Sequence, residues 1–181
     1  NGYYINAPGV IFPTNNKELL PILNSKVIWY FLKSICVVRS GGYIEVKPQY
    51  FEQIPIPHIP LSDQQPFIDK ADLMLSLNKE LLQVVQRFQR TIQRKFEIEE
   101  LPGKLKNWYL ITYADFIKEL EKKKFKLSLT QEAEWESYFV QEVEQALDIK
   151  ARIDSTDKEI DVMVYQLYEL TKEEIRIVEG K

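Results

Sequence analysis

The acidic and basic side chains between residues 115 and 123 are the arrangement in this sequence that comes nearest to a hydrolytic centre. Asp115 is followed by Glu121-Lys122-Lys123, which superficially resembles the Asp…Glu-x-Lys pattern of metal-dependent nucleases, whose carboxylates hold magnesium at the scissile phosphate. The same residues also fit the exposed face of an amphipathic helix over residues 114–124, where carboxylates and lysines form solvated ion pairs. We therefore expect a helix surface here rather than a nuclease site.

Other patterns for bond-making chemistry are missing from the sequence. It contains no Gly-rich phosphate loop, no HExxH and no Gly-x-Ser-x-Gly, and one histidine, His58, with one cysteine, Cys36, makes a clustered zinc site improbable. We expect no catalytic residue, metal or cofactor in this chain. A lone Cys36 in an apolar run is typical of a reduced, cytoplasmic protein, and the longest apolar stretches are too short to span a membrane.

Basic residues interleaved with aromatic ones give a stronger functional signal. Residues 1–126 carry 18 Lys or Arg against 13 Asp or Glu, whereas residues 127–181 carry 6 against 14. The positive excess in the first part favours contact with a polyanion such as DNA. The candidates for phosphate contact are Arg87, Arg90, Arg94, Lys95, Lys104, Lys106, Lys122, Lys123, Lys124 and Lys126. The alternative is that these side chains only solvate helix surfaces.

A glycine-containing loop beside a strand provides a second set of polar candidates. Gly41-Gly42 precedes an alternating run from Tyr43 to Lys47, which predicts a flexible turn leading into a strand. Such a loop can bring polar side chains to base edges in the major groove. The candidates for base contact are Arg39, Ser40, Tyr43, Lys47 and Gln49. An ordinary hairpin turn would show the same pattern.

The elements that position these residues predict an α+β fold that is predominantly helical. A small β-containing recognition lobe is expected over residues 1–60, with a hairpin or two strand fragments over 3–12 and a helix that starts near Leu20 and runs through Phe31. Long antiparallel helices, forming a coiled-coil-like spacer or bundle, are expected over residues 61–181. A sub-boundary is expected near residue 102, because Pro102-Gly103 ends a helical region.

Apolar residues at alternating spacings of four and three predict two long helices. The first seam consists of Phe67, Ala71, Met74, Asn78, Leu81, Val85, Phe88 and Ile92, and the second of Trp135, Phe139, Glu142, Ala146, Ile149 and Ile153. Asn78 is expected to fix the register of the first seam. The capping-box spacing of Thr156 and Glu159 predicts a new helix or a kink at residues 154–157.

Two stretches of the chain resemble known restriction–modification proteins. LPILNSKVIWY, from Leu20 to Tyr30, with GYIEVKPQYFEQIPIP, from Gly42 to Pro57, resembles the TaqI-like C-terminal specificity domain. EIDVMVYQLYELTKEEI, from Glu159 to Ile175, resembles the closing helix of single-chain restriction–modification enzymes. Glu169 stands where that family often has Gly, which puts a sharp helix ending there in doubt.

The resemblance implies sequence-specific recognition of double-stranded DNA by the C-terminal part of a restriction–modification enzyme. It implies that an N6-adenine methyltransferase core, or a nuclease, lies upstream of Asn1 and that AdoMet and Mg²⁺ bind only there, since this chain lacks Asn-Pro-Pro-Tyr and its Asp variant. The alternative is a structural coiled-coil module that forms a homodimer or clamps a partner subunit without touching DNA. The acidic tail supports that alternative.

Overall fold

The computed structural model describes residues 14–38 and 44–181, apart from the side chain of Val38. The described residues form α1 (Leu19–Leu23), α2 (Lys26–Ile35), β1 (Val37–Val38), β2 (Ile44–Glu45), α3 (Pro48–Phe51), α4 (Gln65–Phe96), α5 (Gly103–Lys106), α6 (Tyr113–Lys122), α7 (Leu129–Leu167) and α8 (Lys172–Glu179). Short 3-10 turns at Leu61–Asp63 and Trp108–Leu110 precede α4 and α6. The prediction of a predominantly helical protein is confirmed. Over the described ranges, none of these helices has the length and apolar character needed to cross a bilayer.

Strand structure is much smaller than the lobe predicted for residues 1–60. The antiparallel strands β1 and β2 pair Val37 with Glu45 and Val38 with Ile44, and the described residues contain no other strand. The strand predicted to reach Lys47 is cut short because Pro48 starts α3 and Lys47 is the N-cap of that helix. The hairpin predicted over residues 3–12 lies outside the described residues, as do Arg39, Ser40 and Tyr43.

The chain divides into two compact units. The first unit comprises the described residues up to Leu73 together with Thr156–Lys181, and the second is Met74–Ser155. The last residues of the chain therefore fold with its N-terminal residues. The boundaries proposed at residue 60 and near residue 102 stay predictions.

Aromatic side chains fill the core of the Met74–Ser155 unit. Phe88, Trp108 and Phe116 are fully buried, and the ring centroids of Phe88 and Trp108 lie 4.0 Å apart. The Trp108 indole N–H donates to the Val85 carbonyl oxygen at 3.3 Å, which satisfies the polar atom that this large ring brings into the core. Phe139 packs 5.1 Å from Phe116. These rings hold α4, α6 and α7 together within the unit.

The buried stripe of α4 differs in register from the predicted seam. Leu77 and Val84 are buried, whereas Val85 is half-buried and Asn78 is exposed. The Asn78 amide donates to the Met74 carbonyl oxygen at 2.8 Å. The predicted seam residues at both ends of the helix are buried, and in its middle the apolar Leu77 takes the inward position while the adjacent polar Asn78 faces solvent. The prediction that Asn78 occupies the seam was wrong.

Helix α7 continues unbroken through residues 154–157, where a helix start or kink is predicted. Lys150 and Asp154 form an i,i+4 ion pair at 2.7 Å, which supports a helix across this segment. Ile149 and Ile160 are buried on either side of it, and Thr156 is buried within it. The predicted helix start was wrong because a continuous buried stripe outweighs a local capping pattern, and the predicted kink stays a prediction.

Two helices, α1 and α2, replace the single helix predicted from near Leu20 to Phe31. The break falls at Asn24-Ser25, where the Asn24 amide donates to the Leu20 carbonyl oxygen at 2.8 Å. Ser25 is the buried N-cap of α2, and its hydroxyl oxygen accepts from the Ile28 N–H at 3.4 Å. Short polar side chains compete with helical backbone bonds in this way, so these two residues end one helix and begin the next.

The helix ends include four residues with a left-handed backbone. In each case the following amide donates to the carbonyl five residues earlier, as Leu170 does to Tyr165 at 3.0 Å, the hydrogen bond of a Schellman motif. The four residues are Glu97 (φ 49°), Lys124 (φ 67°), Glu169 (φ 52°) and Gly180 (φ 71°). Helix α7 therefore ends sharply although Glu169, rather than glycine, occupies the left-handed position.

Replacing Glu169 with glycine should stabilise the first unit by about 1 kcal/mol. A left-handed L-residue costs roughly 1–2 kcal/mol, and the extra chain entropy that glycine loses on folding offsets part of that gain. The free energy of unfolding, measured in urea, checks this for E169G. E97G, at the equivalent position of α4 in the Met74–Ser155 unit, should stabilise that unit by a similar amount. As a control, E173G inside α8 should destabilise the protein; a loss of stability in E169G would contradict the prediction.

Candidate nucleic-acid interface

The β1–β2 pair places together the two ends of the segment that carries the predicted base-contacting residues. Val38 and Ile44, which flank residues 39–43, are partners in the antiparallel register. The strand pair follows α2 directly, with only Cys36 between Ile35 and Val37. The position of α2 therefore determines where this hairpin begins.

Lys47 and Gln49 lie at the start of α3. The Lys47 ammonium is 3.8 Å from a Glu45 carboxylate oxygen, and its side chain is 48% exposed. Gln49 is exposed, and its backbone carbonyl accepts a hydrogen bond from the Gln53 amide at 2.7 Å. A long ion pair at the surface is weak, so both side chains remain accessible to a ligand.

A buried carboxylate of α7 holds the start of α2. Asp161 is 3% exposed, its Oδ1 accepts from the backbone N–H of Lys26 at 2.9 Å, and its Oδ2 lies 2.9 Å from Lys26 Nζ. The first N–H groups of a helix lack partners within the helix, and this end carries partial positive charge. The carboxylate therefore stabilises α2, and its hydrogen bond to the ammonium raises the pKa of Lys26.

A second hydrogen bond joins the residue after α7 to the proline-rich segment after α3. The Tyr168 hydroxyl, just beyond α7, donates to the Pro55 carbonyl oxygen at 2.8 Å, and burial raises the pKa of Tyr168 to about 12. Residues before each proline in Ile54-Pro55-Ile56-Pro57 favour extended backbone, whose polar groups need partners outside the segment. Tyr168 supplies one of those partners.

Three predicted phosphate-contacting arginines share one face of α4, because Arg87, Arg90 and Arg94 follow at i, i+3 and i+7. Arg87 is already engaged, since its Nη2 donates to Glu142 Oε2 and to Gln145 Oε1, both at 2.7 Å. Glu142 is buried, and a buried carboxylate that loses its partner is strongly destabilising. Arg87 therefore has a structural role in the Met74–Ser155 unit.

The lysines of α5 and α6 lie close to carboxylates of the same unit. Buried Glu119 is 2.7 Å from Lys122 Nζ and 4.0 Å from Lys104 Nζ, and Lys106 Nζ is 3.8 Å from Glu100. These lysines neutralise carboxylates of the protein itself, which weakens their attraction for phosphate groups.

The remaining phosphate candidates are exposed. Within the described ranges, no hydrogen bond from the side chain and no ion pair engages Arg90, Arg94, Lys95, Lys123, Lys124 or Lys126. Lys123 shares a depression with Glu97, Glu99 and Glu100, where acidic neighbours oppose the approach of a phosphate. Arg90, Arg94 and Lys95 are therefore the more favourable basic residues for contact with DNA.

Asp115 has a structural role at the start of α6. The N-cap Thr112 accepts from the Asp115 N–H at 3.1 Å and donates its hydroxyl to the Asp115 carboxylate at 3.0 Å. That hydrogen bond, with a smaller effect from Lys118, lowers the pKa of Asp115. Among the described residues, no three His, Cys, Asp or Glu side chains form a group that could hold a metal ion.

A family model described as a domain of unknown function, DUF8810, matches residues 60–164, more than half of the chain. The chain belongs to the DUF8810 family. The DUF8810 region includes α4, α5, α6 and most of α7, and with them the aromatic core and the arginines of α4. The strand pair, α2 and α8 lie outside it. No curated protein and no solved structure matches the chain.

The anchoring residue Asp161 and the buried Glu119 are not identified from sequence patterns alone. A signal for Asp161 is present, because it lies beside Ile160 and four residues before Tyr165, so a carboxylate interrupts an apolar helix face. Its partner, the start of α2, is 135 residues away. Sequence spacing gives no information about that contact.

Replacing Asp161 with alanine should destabilise the first unit by about 2 kcal/mol, because the first N–H of α2, which is partly buried, loses its acceptor and the helix start loses a negative charge. Asp161→Asn should cost less, about 1 kcal/mol, since it keeps an oxygen for the Lys26 N–H and loses only an ion pair with a half-exposed lysine. Urea unfolding measures the stability, and hydrogen exchange of the α2 amides measures the local effect.

The matched control for this prediction is Asp154→Ala, which removes an exposed carboxylate from the same helix. It should change the free energy of unfolding by no more than about 0.5 kcal/mol. Unchanged α2 exchange in D161A would show that the carboxylate does not anchor this helix.

Proposed function

We propose that this DUF8810 protein recognises a sequence in double-stranded DNA as the specificity part of a restriction–modification enzyme. The observation that carries the proposal is that the two stretches resembling such enzymes contact each other, through Asp161 at the start of α2 and through Tyr168 at Pro55. These contacts support the resemblance, because two segments that are far apart in the sequence pack together in one unit. Catalysis, with AdoMet and Mg²⁺, belongs in this proposal to upstream domains.

The proposal assigns base contacts to the hairpin and phosphate contacts to α4. Arg39, Ser40 and Tyr43 belong to the segment between β1 and β2, and Lys47 and Gln49 follow it; such polar side chains can read base edges. Phosphate contacts position a protein on the duplex without reading sequence, and exposed Arg90, Arg94 and Lys95 suit that role.

Arg39→Ala and Lys47→Ala should weaken binding to the preferred site more than to unrelated DNA. A duplex selected from a random library by the unaltered protein serves as the preferred site, and fluorescence anisotropy measures both affinities. Loss of a bidentate base contact reduces discrimination by about 1–3 kcal/mol. Lys79→Ala, an exposed lysine of α4, is the control, and equal loss on both duplexes would assign Arg39 and Lys47 to phosphate contact only.

Arg90→Gln and Arg94→Gln should each lower the slope of log affinity against log salt by about 1, because each phosphate contact releases condensed counterions. Arg87→Gln is the informative comparison, since it should reduce stability through unpaired Glu142 and leave the salt slope nearly unchanged. If all three variants change the slope equally, the distinction between engaged and exposed arginines is wrong.

An assembly role is the second candidate, and two leucines of α4 favour it. Leu75 and Leu82 are seven residues apart, so they share one helix face, and both are 55% exposed. A homodimer through this face would bury them. Sedimentation of L75K/L82K against the unaltered protein tests the idea, and an apolar dimer should respond little to salt, unlike a DNA complex.

A further inference from the structure

One face of α2 is exposed and carries aromatic and basic side chains. Four residues at i, i+3, i+4 and i+7 share this face, and we call them the α2 aromatic face: Lys26, Trp29, Tyr30 and Lys33. Trp29 is 47% and Tyr30 46% exposed. The opposite side of the helix places Ile28 and Leu32 in the core. Exposed Trp and Tyr on a well-anchored helix are typical of a binding surface.

The Trp29–Lys33 end of this face favours an anionic partner, whereas Tyr30 adjoins Glu174 of α8 across a groove and Lys26 is near Glu179. No Asp or Glu occurs between Leu19 and Ile44, and the same stretch contains Lys26, Lys33 and Arg39, although the whole chain has a net charge of −3. Lys26 is paired with Asp161, whereas Lys33 has no ion pair in the described part of the chain. An unneutralised cation beside exposed rings suits a nucleic acid better than an apolar protein surface.

Trp29 and Lys33 together match the two chemical parts of a nucleotide. The Lys33 ammonium lies 5.2 Å from the centroid of the Trp29 ring. A base can stack on an aromatic ring in a sequence-tolerant way, and a neighbouring cation can pair with the phosphate attached to it. In a fully paired duplex the base faces are covered by their neighbours, so a stacking site of this kind favours an unpaired nucleotide.

We propose that the α2 aromatic face binds an unpaired nucleotide of the DNA, with its base on Trp29 and its phosphate at Lys33. This inference rests on the proposed function, because α2 leads directly into the β1–β2 hairpin to which sequence reading is assigned. The face then retains a nucleotide displaced from the duplex beside the recognition site. A protein partner is the competing occupant.

Tryptophan fluorescence of the full chain tests the inference, since Trp108 is fully buried and Trp135 only 8% exposed, which makes Trp29 the accessible reporter. The probes are a short duplex with a single unpaired adenine and the fully paired duplex of the same sequence. The duplex with the unpaired adenine should quench Trp29 and protect it from acrylamide more than the paired duplex. Trp29→Ala should weaken its binding about tenfold and change binding of the paired duplex less than about twofold.

Trp29→Phe, which keeps a stacking ring, should retain most of the affinity, and Val140→Ala, an exposed apolar change on α7, should retain all of it. Equal losses on the two duplexes, or none, would overturn the inference. A changed sedimentation coefficient in W29A with normal DNA binding would make the face a protein interface. If Arg39→Ala lowers selectivity while Trp29→Ala has no effect, only this inference fails; if neither duplex binds, the proposed function fails with it.

Discussion

The pairing of Asp161 with the start of α2 is the contact on which the first unit most depends. Burying a carboxylate is unfavourable unless hydrogen bonds and opposite charge replace its water, and here a backbone N–H and an ammonium of the same residue, Lys26, do both. The contact requires a free helix start at that point. This explains why the polar pair Asn24-Ser25 must interrupt the apolar run. A helix continuing from Leu20 through Phe31 would have used the Lys26 N–H within the helix and left Asp161 Oδ1 without its backbone donor.

The Met74–Ser155 unit is stabilised in a different way. Its internal ion pairs reduce the number of basic residues that remain available to bind DNA. Its core consists of aromatic rings, and its buried carboxylates, Glu119 and Glu142, recruit lysines and an arginine from the surface. Basic residues counted from sequence as available to DNA are therefore of two kinds. Those that compensate buried acids contribute to folding, and only those left over, such as Arg90 and Arg94, can contribute to a long-range positive potential.

The sequence predicts what depends on local periodicity and fails where distant contacts decide. The two long helices follow from their apolar repeats, and the strands on either side of the turn predicted at Gly41-Gly42 do pair. Asn78 was misplaced because the adjacent Leu77 also fits the repeat, and the apolar side chain takes the buried position. Thr156 starts no helix, because the buried residues on both sides of it favour continuation. The contact between Asp161 and Lys26 could not be predicted, since the two residues are 135 positions apart and come together only in the folded chain.

The extent of the DUF8810 match bears on where sequence recognition lies. The matched region, residues 60–164, contains the aromatic core, the buried carboxylates with their ion-pair partners and most of the two long helices. Three features precede that region: the β1–β2 pair, α2 with its exposed Trp29, and Lys26, the partner of Asp161. Asp161 itself lies inside the region. Under the proposed function, the residues that contact DNA would change with the target while the scaffold that orients them stays the same. Asp161 suits such a scaffold, because it accepts from the backbone N–H of residue 26, a group that does not depend on which side chain stands there.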